Sequence, residues 1–148
     1  MTAIQPKKID HIGIAVKDLE NSILFYTNIL GLKFLGTEEV ESEKVRVAFF
    51  EIGDTRIELL EATNPESPIA RFIEKKGEGI HHIAYQTENC QEDLEFLKGE
   101  GIKLINEVPK AGAHGSQVAF LHPKSTGNVL IELCQPSLKT TGEAVEKE

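Results

Sequence analysis

Ile9-Asp10-His11-Ile12-Gly13-Ile14-Ala15-Val16 and Ile80-His81-His82-Ile83-Ala84-Tyr85-Gln86-Thr87 are two copies of one phrase. Each sets a histidine third in an alternating apolar run, the pattern of a half-buried strand. The histidines stand 71 positions apart (82 − 11). Further along, each copy has a second echo, Ile57-Glu58-Leu59-Leu60 and Ile131-Glu132-Leu133-Cys134. Two histidines and two glutamates thus recur in register.

The spacing between the echoes repeats as well. After the first strand (residues 8–16), Asp18 stands where a helix N-cap belongs. Leu19, Ile23, Tyr26 and Leu30 follow at intervals of 4, 3 and 4, one face of a helix that Gly31 ends. Residues 32–40, 45–52 and 55–62 read as strands, with turns at 41–44 and 53–54. In the second half Asn89 takes the place of Asp18. Cys90, Leu94, Leu97 and Gly101 then each lie 71 residues beyond their counterparts. Residues 102–108 read as a strand, and Val47-Ala48-Phe49 recurs as Val118-Ala119-Phe120. Glu132 lies 74 residues beyond Glu58, so the last hairpin loop, 122–128, is longer by three. Between the halves, Ser67-Pro68 caps a short helix carrying Ile69, Phe72 and Ile73, which Gly77 and Gly79 close.

A constant offset held through strand, helix and strand indicates a duplicated βαβββ unit. The expected fold is α+β: two modules related by a pseudo-twofold axis, forming a cupped, mostly antiparallel sheet. The expected organisation is one domain over 8–136, with module one at 8–62, a linker helix at 63–79 and module two at 80–136. Residues 137–148 are expected to be a solvated, flexible tail.

Composition narrows the function. The chain of 148 residues is 40% hydrophobic and carries a formal net charge of −8. That charge argues against a nucleic-acid surface. No apolar run approaches the ~20 residues of a membrane span, and the first residues lack a secretion-signal pattern. Two cysteines, Cys90 and Cys134, make no disulfide framework, and a cytoplasmic protein is expected.

The repeat maps His11 onto His82 and Glu58 onto Glu132. If one pair points into the cleft between the modules, so does the other. Two imidazoles and two carboxylates suit a divalent ion of the Zn, Mn, Co, Ni or Fe class. His81 neighbours His82, points to the opposite face by the period of two, and is assigned no ligand role. His114, between glycine-bearing loop residues, is expected to face solvent, and His122, before Pro123, to be structural.

The pattern resembles the vicinal-oxygen-chelate superfamily, the glyoxalase fold. More narrowly, residues 8–16, Ile57-Glu58-Leu59-Leu60, residues 79–84, Ser67-Pro68-Ile69-Ala70 and His122-Pro123-Lys124-Ser125 with residues 129–133 are similar to the methylmalonyl-CoA epimerase family. The resemblance implies metal-assisted interconversion of the C2 epimers of an acyl-CoA, with His11, Glu58, His82 and Glu132 as ligands. It implies Glu132 as the first acid/base group. The second is Glu58 or a metal-bound water or, if the register of the third strand differs, Glu43 or Glu51. Arg46 is a candidate partner of the substrate's carboxylate or a phosphate, a surface ion pair being the equally open alternative. Lys124 and Lys110 are candidates for coenzyme A phosphates. The resemblance, with exposed apolar residues expected on the linker helix, also implies a homodimer. A lactoylglutathione lyase and a metal-free binding protein of the same fold are the competing functions.

Overall fold

The structure, a computed structural model, describes residues 2–137. The expected tail beyond Ser137 lies outside the described residues. By backbone contacts the described residues form two compact units, 10–83 and 2–9 with 84–137. Their boundaries fall inside strands β1 (Lys8–Ala15) and β5 (Gly79–Gln86). The linker helix therefore belongs to the first unit.

In the first unit, β1 is followed by helix α1 (Leu19–Leu24) and strands β2 (Lys33–Val40), β3 (Val45–Ile52) and β4 (Thr55–Ala62). The strands lie in the order β1-β4-β3-β2. β1 runs parallel to β4, and the other two pairs are antiparallel. Asp18 caps α1 by accepting from the Asn21 amide at 3.1 Å. Val16, Leu19, Ala48, Phe50 and Leu59 form the core between helix and sheet, with Ile23, Tyr26 and Ile57 packed on it. Helix α2 (Pro68–Lys76) follows. Ser67 caps it, accepting from the Ile69 amide at 3.1 Å.

The second unit repeats this plan. Helix α3 (Cys90–Gly99), capped by Asn89, precedes β6 (Lys110–Ala111), β7 (Gln117–Leu121) and β8 (Ile131–Gln135). The strand order β5-β8-β7-β6 matches that of the first unit. Its core is built from the equivalent positions: Cys90, Leu94, Ala119, Leu121 and Leu133, with Leu97 and Ile131 packed on it. Equivalent strand-end hydrogen bonds, from Val16 to Leu60 and from Thr87 to Cys134, both measure 2.9 Å.

Two expectations are corrected. The first helix is not α-helical to Leu30: Phe25–Ile29 is a π turn, with the Leu30 amide donating to the Phe25 carbonyl at 3.1 Å. The wider turn rotates Leu30 off the inner face, and it is exposed. Residues 102–108 are not a full strand. They make one isolated bridge, Leu104 with Leu121. The reason is local: the Phe120 amide donates to the side-chain oxygen of Asn106 at 2.8 Å, where a strand would offer a carbonyl. No helix among the described residues is long and apolar enough to cross a membrane.

Candidate metal centre

His11 stands on β1 and is buried. It pairs in register with Arg56 of β4, and Gly13, two residues on, pairs with Glu58. The period of two thus puts His11, Arg56 and Glu58 on one face of the sheet, away from the α1 core. Their side chains meet. The His11 Nδ1 lies 2.8 Å from Asp10 Oδ2 and 3.3 Å from Glu58 Oε2. Arg56 Nη2 donates to Asp10 Oδ2 at 2.9 Å and to Glu58 Oε2 at 3.0 Å. Asp10, His11 and Glu58 are close enough to share an ion. The Arg56 guanidinium supplies a positive charge to both carboxylates of this group.

His82, buried on β5, brings its Nε2 to 3.1 Å from the His11 Nε2. The rings cross at 88°. Two nitrogens bound to one ion at ~2.1 Å and at right angles stand about 3.0 Å apart. The 3.1 Å spacing matches that of two nitrogens bound to one divalent ion. The His82 ring lies against the backbone of Gly13, where a Cβ would come within 2.3 Å of its Cε1.

Glu132 belongs to the second unit, on β8, and is as buried there as Glu58 is in the first. Phe49 of β3 stands opposite Glu58, and its repeat equivalent, Phe120 of β7, stands opposite Glu132. The glutamates therefore hold equivalent positions in their units despite the three-residue change of offset.

The remaining expected residues divide. Arg46 lies on the α1 side of its sheet, ion-paired to Glu20 at 2.8 Å and to Glu61 at 4.0 Å. The face-alternation of β3 puts it opposite to Glu58, and the surface ion pair is what the structure shows. Lys124 is exposed in the 3₁₀ turn Pro123–Ser125. His122 caps that turn, its Nδ1 accepting from the Lys124 amide at 3.0 Å. Lys110 pairs with Val118, on the Glu132 face of its unit, with Nζ 5.5 Å from the Phe120 ring centre. His114 is exposed. Of the other possible acid/base groups, Glu51 is exposed and paired to Lys33 at 3.6 Å, and Glu43 sits in the 3₁₀ turn before β3.

Three participants escaped sequence reasoning: Asp10, Arg56 and His81. His81 Nδ1 lies 2.9 Å from His82 Nδ1, although the strand pleat directs the two residues to opposite faces. The signal that could have found it was the repeat itself, since His81 follows Asp10 at the same offset of 71.

Residues 10–120 match the family model of the glyoxalase/bleomycin resistance protein/dioxygenase superfamily. The chain is 46% identical to the uncharacterized protein YqjC of Bacillus subtilis, over 87% of this chain and 92% of that protein. It is 42% identical to the mitochondrial methylmalonyl-CoA epimerase of Homo sapiens, over 86% of this chain and 73% of the relative. Among solved structures, a methylmalonyl-CoA epimerase in complex with methylmalonyl-CoA and NH4+ superposes with a TM-score of 0.88 at 35% identity, covering 90% of this chain and 97% of that one. The eight strands and three α-helices of the described residues are those of the glyoxalase fold, and the chain belongs to the glyoxalase superfamily and, within it, to the family of the methylmalonyl-CoA epimerases.

Proposed function

We propose that the protein interconverts the C2 epimers of methylmalonyl-CoA, with a divalent metal ion held by His11, His82, Glu58 and Glu132. The observation that carries this reading is the 3.1 Å approach of the two histidine Nε2 atoms in a chain of that family. When bound, the ion would act as a Lewis acid towards the thioester and carboxylate oxygens of the substrate, lowering the cost of the charge that builds as the C2 proton leaves. Glu132 takes that proton from one face of C2, and a second carboxyl group, in its protonated form, gives a proton to the other face and is left as the carboxylate. Glu58 is the group we assign to the second role. On β3 the residues that share its face are Val45, Val47 and Phe49, which cannot exchange a proton, and then the exposed Glu51. Lys110 and Lys124 are the cations we assign to the coenzyme A phosphates.

The test is the C2 proton of methylmalonyl-CoA followed by NMR in D₂O. Wild-type protein loaded with Co²⁺ is expected to exchange it, and Glu132→Gln to abolish exchange. Full exchange in that variant would remove Glu132 from the mechanism. Isomerisation of the methylglyoxal–glutathione hemithioacetal without C2 exchange would establish a lyase instead.

We also propose that two copies pair. The surface is not the linker helix, whose Ile69, Phe72 and Ile73 are buried or half-buried. Exposed apolar residues of the first unit instead include Leu24, Phe25, Ile29 and Leu30, with Phe34 and Leu35 of β2. Sedimentation at a dimer mass is expected, and a monomer mass at micromolar concentration would refute pairing.

A further inference from the structure

We propose that Asp10 and His81 are positioning residues, each gripping the Nδ1 edge of the histidine that follows it so that the two Nε2 atoms are presented together. The inference rests on the assignment of His11 and His82 as metal ligands and adds the groups that orient them.

Asp10 and His81 are repeat equivalents, 71 positions apart, and each immediately precedes its histidine. Neighbouring residues of a strand point to opposite faces. A bond between two such side chains therefore requires at least one to turn out of its own face, and here it happens twice at equivalent positions. Asp10 Oδ2 lies 2.8 Å from His11 Nδ1 and His81 Nδ1 lies 2.9 Å from His82 Nδ1. An ionised carboxylate only accepts, so the His11 proton sits on Nδ1 and its Nε2 offers a lone pair. When His82 gives its Nε2 to a metal, its proton likewise moves to Nδ1, and His81 Nδ1 is in place to accept it.

The two grips are unequal. Asp10 is itself held by the Arg56 guanidinium at 2.9 Å, and Arg56 extends at 3.0 Å to Glu58. A hydrogen bond to a charged acceptor is roughly twice as strong as one between neutral groups. His81 offers a neutral imidazole, steadied edge-on against Phe72 of α2 at 4.9 Å between ring centres. His11 is therefore the firmly fixed ligand and His82 the more weakly held one, which also leans on the backbone of Gly13.

The test titrates Co²⁺ into the metal-free full chain by calorimetry, and follows the histidine ring nitrogens by ¹⁵N NMR before and after loading. Outer-shell partners of metal histidines typically contribute ten- to a hundredfold in affinity. Asp10→Ala is expected to weaken binding within that range. Asp10→Asn, which keeps an acceptor and loses the charge, is expected to weaken it severalfold, and His81→Ala by about tenfold. In the metal-free protein, His11 is expected to be the Nδ1–H tautomer, and a mixture in Asp10→Ala. Wild-type affinity together with an unchanged His11 tautomer in Asp10→Ala would overturn the inference. Should Asp10→Ala fail to fold, the affinity of Asp10→Asn decides it, wild-type affinity there overturning the inference. A wild-type chain that binds no Co²⁺ would overturn the ligand assignment instead, while the tautomer of metal-free His11 still reports on the Asp10 grip.

Discussion

Position 13 is the tightest fit beside the histidine pair. A Cβ there would stand 2.3 Å from Cε1 and 2.6 Å from Nδ1 of His82. Those are ring atoms, and the ring can give way only by turning from His11 and His81. Gly13→Ala is therefore expected to weaken Co²⁺ binding at least about tenfold, as loss of a ligand's support does elsewhere. Calorimetric titration checks this. Asp93 of α3 supplies a prediction from burial. It is buried, accepts a hydrogen bond from the Thr87 hydroxyl, and has its carboxyl pushed above the ordinary range by desolvation, with the Glu92 charge adding and the Thr87 bond opposing. A carboxyl that holds its proton more tightly in the folded state contributes stability that is full below the unfolded value of ~3.9. That contribution is lost as pH rises through the raised folded value. Asp93→Asn keeps an acceptor for Thr87 and removes the ionisation. Urea titrations should find the variant more stable than wild type at pH 7, with the advantage vanishing towards pH 4. At this scale the repeat singled out His11, His82, Glu58 and Glu132 as candidates, because all four recur. It also contained Asp10 and His81, but alternation assigned them to the far face, and only side-chain geometry shows them turning back. Arg56 has no repeat counterpart and lay beyond that signal.

Most elements end where local chemistry says they should. Asp18, Ser67 and Asn89 each cap the helix that follows them. β3 and β4 run from Val45 to Ile52 and from Thr55 to Ala62 because Gly53 allows the tight turn between them, with φ at 58°. The failures have physical causes that spacing does not carry. A π turn preserves the 4, 3, 4 spacing and changes only which face Leu30 reaches. The segment 102–108 has strand-like composition, but Asn106 satisfies the Phe120 amide from its side chain. Ser67 is the element-scale test. It is fully buried, accepts from the Ile69 amide, and donates to the Glu43 carbonyl at 3.3 Å. It thereby fastens the start of α2 to the turn before β3. Ser67→Ala removes a cap of about 1 kcal/mol together with that second bond. A loss of ~1–2 kcal/mol is expected, with a fall in melting temperature of about 2–4 °C per kcal/mol. Since Phe72 on the same helix steadies His81, a smaller fall in Co²⁺ affinity should accompany it.

For the molecule as a whole, the ligand set links stability to metal. The proposed ligands are His11, Glu58, His82 and Glu132. Any ligand bound only by the folded state stabilises it by mass action, about 2.7 kcal/mol at a hundred times its dissociation constant. For a chain of this length, each kcal/mol moves the melting temperature by about 2–4 °C. Removing the ion with a chelator is thus expected to lower the melting temperature by roughly 5–10 °C, and adding Co²⁺ to restore it. Glu132→Gln should then reduce the metal-dependent rise in melting temperature. A Glu132→Gln protein that keeps the full wild-type rise on Co²⁺ loading would exclude Glu132 from the ligand set, whatever its role at C2.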